Sequence, residues 1–241
     1  FYPESDWLHR NNVIHSYARA EHHIVKSRWL AEMVDRHGPR CEIVPLGLDL
    51  GVFYPRGDRP PSRPRVLSVA AVGPEGGRRG FADTIEAFRR IHAARPDVEL
   101  VFYGAEREQL PELPFPVTVA GRIYDQNKVA ALMSSADVVL DASLWQGFGR
   151  PGLEAMACGT VPVLTNIGGL TEYARDGENS VLVPPGDPAA AASAILALVD
   201  DPARYGRMRA SALATAARFS HIDEARRHLE RRFVLRDRQE E

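Results

Sequence analysis

From residue 65 onward the chain alternates short apolar, β-branched runs with amphipathic stretches, and this alternation limits the fold more than any other feature. The apolar runs are "RVLSVAAV", "VELVFYGA", "VTVAGRI", "DVVLDAS", "VPVLTN" and "SVLVPP"; helical patterns such as "ADTIEAFRRIHAA", "QNKVAALMSSA", "PGLEAMAC" and "DPAAAASAILALVDD" fall between them. Strands that are apolar throughout must be covered on both faces, and helices between them are the usual cover. The pattern therefore predicts an α/β, Rossmann-like doubly wound parallel sheet of about six strands.

The flanks differ in character. Residues 202–241 read as C-terminal helices whose arginines and acids form a solvated face, not a nucleic-acid patch. At the other end, "EHHIVKS" reads as a strand, "RWLAEMVDRHG" as a helix closed by Gly38, and "CEIVPLG" as a second strand. One such unit is too small to stand alone, so residues 1–53 are expected to be the remnant and hinge of a preceding domain. Residues 54–64, dense in Pro and Arg, read as a linker to a domain over 65–201. The apolar side chains Ile24, Trp29, Leu30 and Met33 of the remnant must then fold back on the chain or pair with a second copy as a homodimer.

Composition removes several classes of function. The 241 residues carry 30 basic and 32 acidic side chains, a net charge of −2, so no global field draws nucleic acid or an anionic membrane. Two cysteines, Cys41 and Cys158, are too few for a disulfide framework, and a cytoplasmic setting is expected. The longest apolar run, 189–199, is too short to span a bilayer. His22 and His23 are adjacent on a strand and point to opposite faces, so no metal site is expected.

The stretch "WQGFGRPGLEAMACGTVP" (145–162) follows the run "ADVVLDAS" and sets a glycine turn against the start of a helix with Pro151 in its first turn. In a parallel sheet that turn lies at the carboxyl end of the strand, where helix-start N–H groups attract an anion such as phosphate. Glu154, a few residues into the helix, either complements the helix dipole or accepts the hydroxyls of a ribose. The loop "GPEGGRRG" (73–80) is either a surface turn or a second phosphate contact through Arg78 or Arg79. Cys158 lies in the helix and reads as core, not as a nucleophile.

Together, the hinge "PLGLDLGVF", the block "WQGFGRPGLEAMACGTVPVLTNIGGLTEYARDGENSVLVPPGD" and the closing "RFS" resemble, in order, the carboxyl-terminal half of retaining GT-B glycosyltransferases of family 4. The resemblance implies that 65–201 holds a UDP-, GDP- or dTDP-linked sugar as donor substrate, without cofactor or metal. The preceding domain would hold most of a glycan or lipid-linked acceptor site. The family's Glu-x7-Glu motif falls on 146 and 154, which implies Glu154 as ribose ligand. The first acid is Gln146 here; an amide keeps an acceptor, gains a donor and loses the charge, at a cost of roughly 1 kcal/mol. In the phosphate loop Gly73-Pro74 and Arg79-Gly80 stand where Gly-Arg and Lys-Gly are usual, so Arg79 is the implied diphosphate cation, with Arg78 a second if the loop is shifted. Gln146, Gly147 and Phe148 would hold the sugar, and the helix start at Phe148 and Gly149 the diphosphate. "AGRIY" (120–124), with Arg122 and Ile123, would cup the base. The implied chemistry is retaining transfer in which the leaving diphosphate takes the acceptor's proton. This fragment alone is expected to be inactive. Gln146 and Pro74 also suit a second reading, a degenerate donor fold serving as an interaction module; a third, a sugar-nucleotide epimerase, fits the motif order less well.

Overall fold

The computed structural model describes residues 14–19, 22–38, 41–57, 63–69 and 76–223, with isolated positions to 229. Six strands form the main sheet: β3 (Arg65–Val69), β4 (Glu99–Tyr103), β5 (Thr118–Val119), β6 (Val138–Asp141), β7 (Val161–Thr165) and β8 (Val181–Val183). Their order is β5-β4-β3-β6-β7-β8, and every adjacent pair is parallel. The expected doubly wound sheet is the one found. Every residue of β6 and β7 is buried, as central strands with apolar faces require. Pro162 is tolerated in β7 because pairing with β8 begins only at Val163.

Helices cover both faces. On one, α2 (Phe81–Ala94) and α5 (Pro188–Val199) pack together over Val66, Phe102, Val138 and Val163, with Phe88 and Ile91 facing the sheet. On the other, α3 (Gln126–Ser134), α4 (Arg150–Ala157) and α6 (Pro202–Ala217) close over Leu67, Val101, Val139 and Leu164. Alanines at 155, 157, 212 and 216 let α4 and α6 approach closely. Asp125, Asp187 and Asp201 cap α3, α5 and α6, each accepting a backbone N–H in the first turn. Among the described residues no helix is long and apolar enough to cross a membrane.

The first unit, β1 (His23–Val25), α1 (Arg28–Val34) and β2 (Cys41–Ile43), forms its own two-stranded parallel sheet. It does fold back: α1 packs on the turn after β7, and Leu30 lies against Gly147, while Ile24 stays 57% exposed. The hinge is stitched in more firmly than its sequence suggests. Leu48 and Phe53 are buried in the core beneath α6, and Leu48 exchanges backbone hydrogen bonds with Phe219 and His221. The start of the Pro/Arg stretch is also held, since Tyr54 O accepts from Ser134 and Arg56 donates to Asn127.

Candidate functional site

The chain runs outward from β3 through β4 to β5, then returns to the other side of β3 as β6. Carboxyl ends of β3 and β6 therefore flank a topological switch point, where an open sheet leaves a crevice. Three turns border it. Gly76–Arg79 forms a 3₁₀ turn after β3, 142–149 follows β6, and Gly168–Glu172 forms a second 3₁₀ turn after β7. Leu144 N donates to Arg78 O at 2.8 Å, and Gly169 N donates to Gln146 O at 3.1 Å. Across 120 residues of chain, Ser27 Oγ donates to Gly147 O at 2.6 Å. At the head of α4, Gly149 has φ +81°, and its carbonyl accepts from the Tyr173 hydroxyl at 2.5 Å.

A cleft of about 360 Å³ opens at this point, lined among others by Arg79, Tyr103, Ile123, Tyr124, Arg150 and Glu154. The end of β6 and the residues just after it set Arg79: its Nη1 lies 3.8 Å from Asp141 Oδ2 and 3.5 Å from Ser143 Oγ. Asp141 is buried, and its other oxygen accepts from Ser143 N at 3.1 Å and Ser143 Oγ at 2.5 Å. Glu154 Oε1 lies 2.5 Å from Arg150 Nε, one helical turn back. Burial pushes the Glu154 carboxyl above its ordinary 4.5, against the opposing pull of Arg150 and Arg79. Burial also raises the Tyr103 hydroxyl, with Glu154 and Asp141 adding to the shift, so it stays protonated. The cleft thus offers a carboxylate acceptor, two guanidinium groups and the start of α4.

Of the residues singled out from sequence, Arg79, Glu154 and Ile123 line this cleft together. Arg78 holds the neighbouring turn through its carbonyl, and the exposed Arg122 is anchored by its N–H to Glu106 Oε1; neither side chain is among those lining the cleft. Phe148 is buried against Tyr173 and Phe219, so its ring belongs to the core, and none of residues 146–149 is among those lining the cleft. Gln146 is 5% exposed, and its Nε2 has no hydrogen-bond partner among the described residues. Gly73 and its neighbour Pro74 lie outside the described residues. Tyr124 falls in the 120–124 segment already singled out, whereas Arg150 and Tyr103 escaped the sequence reading; of these two only Arg150 left a signal, its four-residue spacing from Glu154. Cys158 is buried in the core, where desolvation pushes its thiol up to about 11. Among the described residues no group of His, Cys, Asp or Glu is arranged to hold a metal.

The family model described as "Glycosyl transferases group 1" matches residues 63–201, more than half of the chain. The chain belongs to this family. Among curated relatives of this group 1 chain is an MMP alpha-(1->4)-mannosyltransferase of Mycolicibacterium hassiacum, 33% identical over 70% of the chain and 42% of the relative. Another is a GDP-mannose-dependent alpha-(1-6)-phosphatidylinositol dimannoside mannosyltransferase of Mycobacterium tuberculosis, 31% identical over 73% of the chain and 48% of the relative. The chain spans about half the length of the curated relatives it matches. Of solved structures, sucrose-phosphate synthase from Thermosynechococcus elongatus superposes with a TM-score of 0.79 at 26% identity, over 96% of this chain and 63% of that one. The Anabaena HepE protein in complex with UDP-glucose gives 0.78 at 20% identity, over 93% of this chain and 67% of that one, and shares the fold.

Proposed function

We propose that this group 1 chain is the donor-binding half of a glycosyltransferase that passes a sugar from a nucleoside diphosphate to a hydroxyl acceptor with retention of configuration. The observation that carries the reading is the meeting of Arg79 and Glu154 in one cleft at the switch point of the sheet, from segments 75 residues apart. Glu154 accepts the ribose hydroxyls. Arg79 and the backbone at the head of α4 hold the diphosphate, whose charge grows as the sugar departs. Ile123, with the backbone at Arg122, bounds the base, and Gln146 with Gly147 and the Phe148 backbone holds the sugar. A GDP-mannose-dependent relative and a neighbour in complex with UDP-glucose support a nucleotide sugar while differing in base.

The chemistry proposed is the one that the family resemblance implies. Glu154 is paired with Arg150 in the unliganded cleft and the Tyr103 hydroxyl stays protonated, so neither is assigned the part of nucleophile or base. The leaving diphosphate oxygen takes the proton of the incoming hydroxyl on the same sugar face, which retains configuration. Catalysis then rests on positioning and on stabilising the leaving group, and the reading calls for no cofactor. The acceptor, a glycan or lipid-linked hydroxyl, is assigned to the half of the protein that the relatives have beyond this match.

Calorimetric titration with UDP, GDP and dTDP tests the reading. Saturable binding of at least one is expected, and Glu154→Gln should weaken it by about 1–3 kcal/mol, the range for a hydrogen bond to a charged group. Affinity should also fall as pH drops, beginning above 4.5, because protonation of the buried Glu154 removes an acceptor earlier than for an exposed glutamate. The Gln variant should lose that slope. Failure of all three nucleotides to bind at millimolar concentration would instead favour the interaction-module reading, to which the uncharged Gln146 lends itself.

A further inference from the structure

A nucleoside diphosphate carries more negative charge than the single guanidinium of Arg79 neutralises. The described cleft supplies another. Arg150, first residue of α4, lines the same space as Arg79 and Glu154. Its Nε contacts Glu154 Oε1, yet the side chain remains 44% exposed against 11% for its partner. The carboxylate is enclosed and fixed in place, whereas the guanidinium sits at the mouth of the cleft on a long side chain.

Resting on the donor-site reading, we propose that Arg150 is the second diphosphate cation of this chain and determines its preference for a nucleoside diphosphate over the uncharged nucleoside. In the unliganded cleft Arg150 neutralises Glu154. Ribose hydroxyls that dock on Glu154 compete for the oxygen Arg150 occupies, and the guanidinium turns about its side-chain torsions toward the phosphates. There its planar fork makes paired, charge-assisted hydrogen bonds. A diphosphate thus replaces the partner that Arg150 loses. A nucleoside displaces Arg150 from Glu154 and gives it nothing in return. Arg79 does not duplicate this task, because it is held beside Asp141 and Ser143 on the β6 side of the cleft.

The test titrates the chain and its Arg150→Ala and Arg150→Lys variants with UDP, GDP and dTDP, then with the nucleoside matching whichever diphosphate binds tightest. A buffer near pH 8 favours the ionised Glu154, whose carboxyl pKa is raised by burial, and thermal melts confirm that each variant is folded. Arg150→Ala is expected to lower diphosphate affinity by about tenfold or more and to leave nucleoside affinity unchanged or raised, with Arg150→Lys in between. Equal losses for both ligands would overturn the proposal, since Arg150 would then serve only to neutralise Glu154. No loss for either would overturn it as well. If the parent chain binds no diphosphate, or binds one with indifference to Arg79→Ala and Glu154→Gln, the donor-site reading itself falls; that outcome is distinct from a working site that ignores Arg150.

Discussion

Replacing Gly168 by alanine is expected to cost about 3 kcal/mol of stability and to lower Tm by roughly 10 °C, the largest effect of any single methyl group near the cleft. Gly168 has φ +60°, which any L side chain disfavours by about 1–2 kcal/mol. The added Cβ would also stand 1.8 Å from the carbonyl oxygen of Gln146, a backbone atom with no rotamer to escape through. The rest of the cost, about 1–3 kcal/mol, is the backbone shift needed to relieve that overlap. Because the displaced carbonyl belongs to the 146–149 turn, nucleotide affinity should fall with stability. Gly177 supplies the control, with φ +72° and nothing within 4 Å of its would-be Cβ. Gly177→Ala should therefore show the conformational cost alone, about 1 kcal/mol. Chemical denaturation of both variants decides: equal losses would mean that close approach of the two turns contributes nothing.

Removal of Arg79 should have the largest effect on binding. Arg79→Ala is expected to cost about 3 kcal/mol of nucleoside diphosphate affinity, more than a hundredfold, as expected for loss of paired charge-assisted bonds to phosphate. It should also destabilise the unliganded chain, because the buried Asp141 loses the cation 3.8 Å from its Oδ2. That part should be small, about 1 kcal/mol, given the long separation and the partial exposure of Arg79. The two effects separate in a double variant. Adding Asp141→Asn to Arg79→Ala should return most of the stability, since no buried carboxylate then lacks its cation, and none of the affinity. Recovery of both by Asp141→Asn would show that Arg79 acts on the site only through the fold.

Much of the fold was legible because its signals are local. "DVVLDAS" and "VPVLTN" are apolar on both faces, and such runs have few places to go other than the centre of a parallel sheet. Pro151 marked the helix start, and Glu154 stood out as the acid in a helix otherwise small and apolar. The Pro/Arg stretch misled by the same local logic. Its first residues read as linker, yet Tyr54 and Arg56 are tied to α3 by partners some 70 to 80 residues away. Phe148, beside the same turn, has its ring packed with Tyr173 and Phe219, partners that no local pattern names.

By itself the sequence determined the doubly wound sheet, and it singled out the turn after β6 together with Arg79 and Glu154, two charged residues that the fold brings into one cleft. Periodicity and turn chemistry act over a few residues, so they are written in consecutive letters. Only the tertiary structure decided that Ser27 holds Gly147, that Asp141 holds Arg79, and that Arg150 shares the cleft with both candidate ligands. Those contacts depend on the order β5-β4-β3-β6-β7-β8, which brings the ends of β3 and β6 side by side. A side chain's partner across such a crevice is set by where separate strands end in space, and no local pattern encodes that distance.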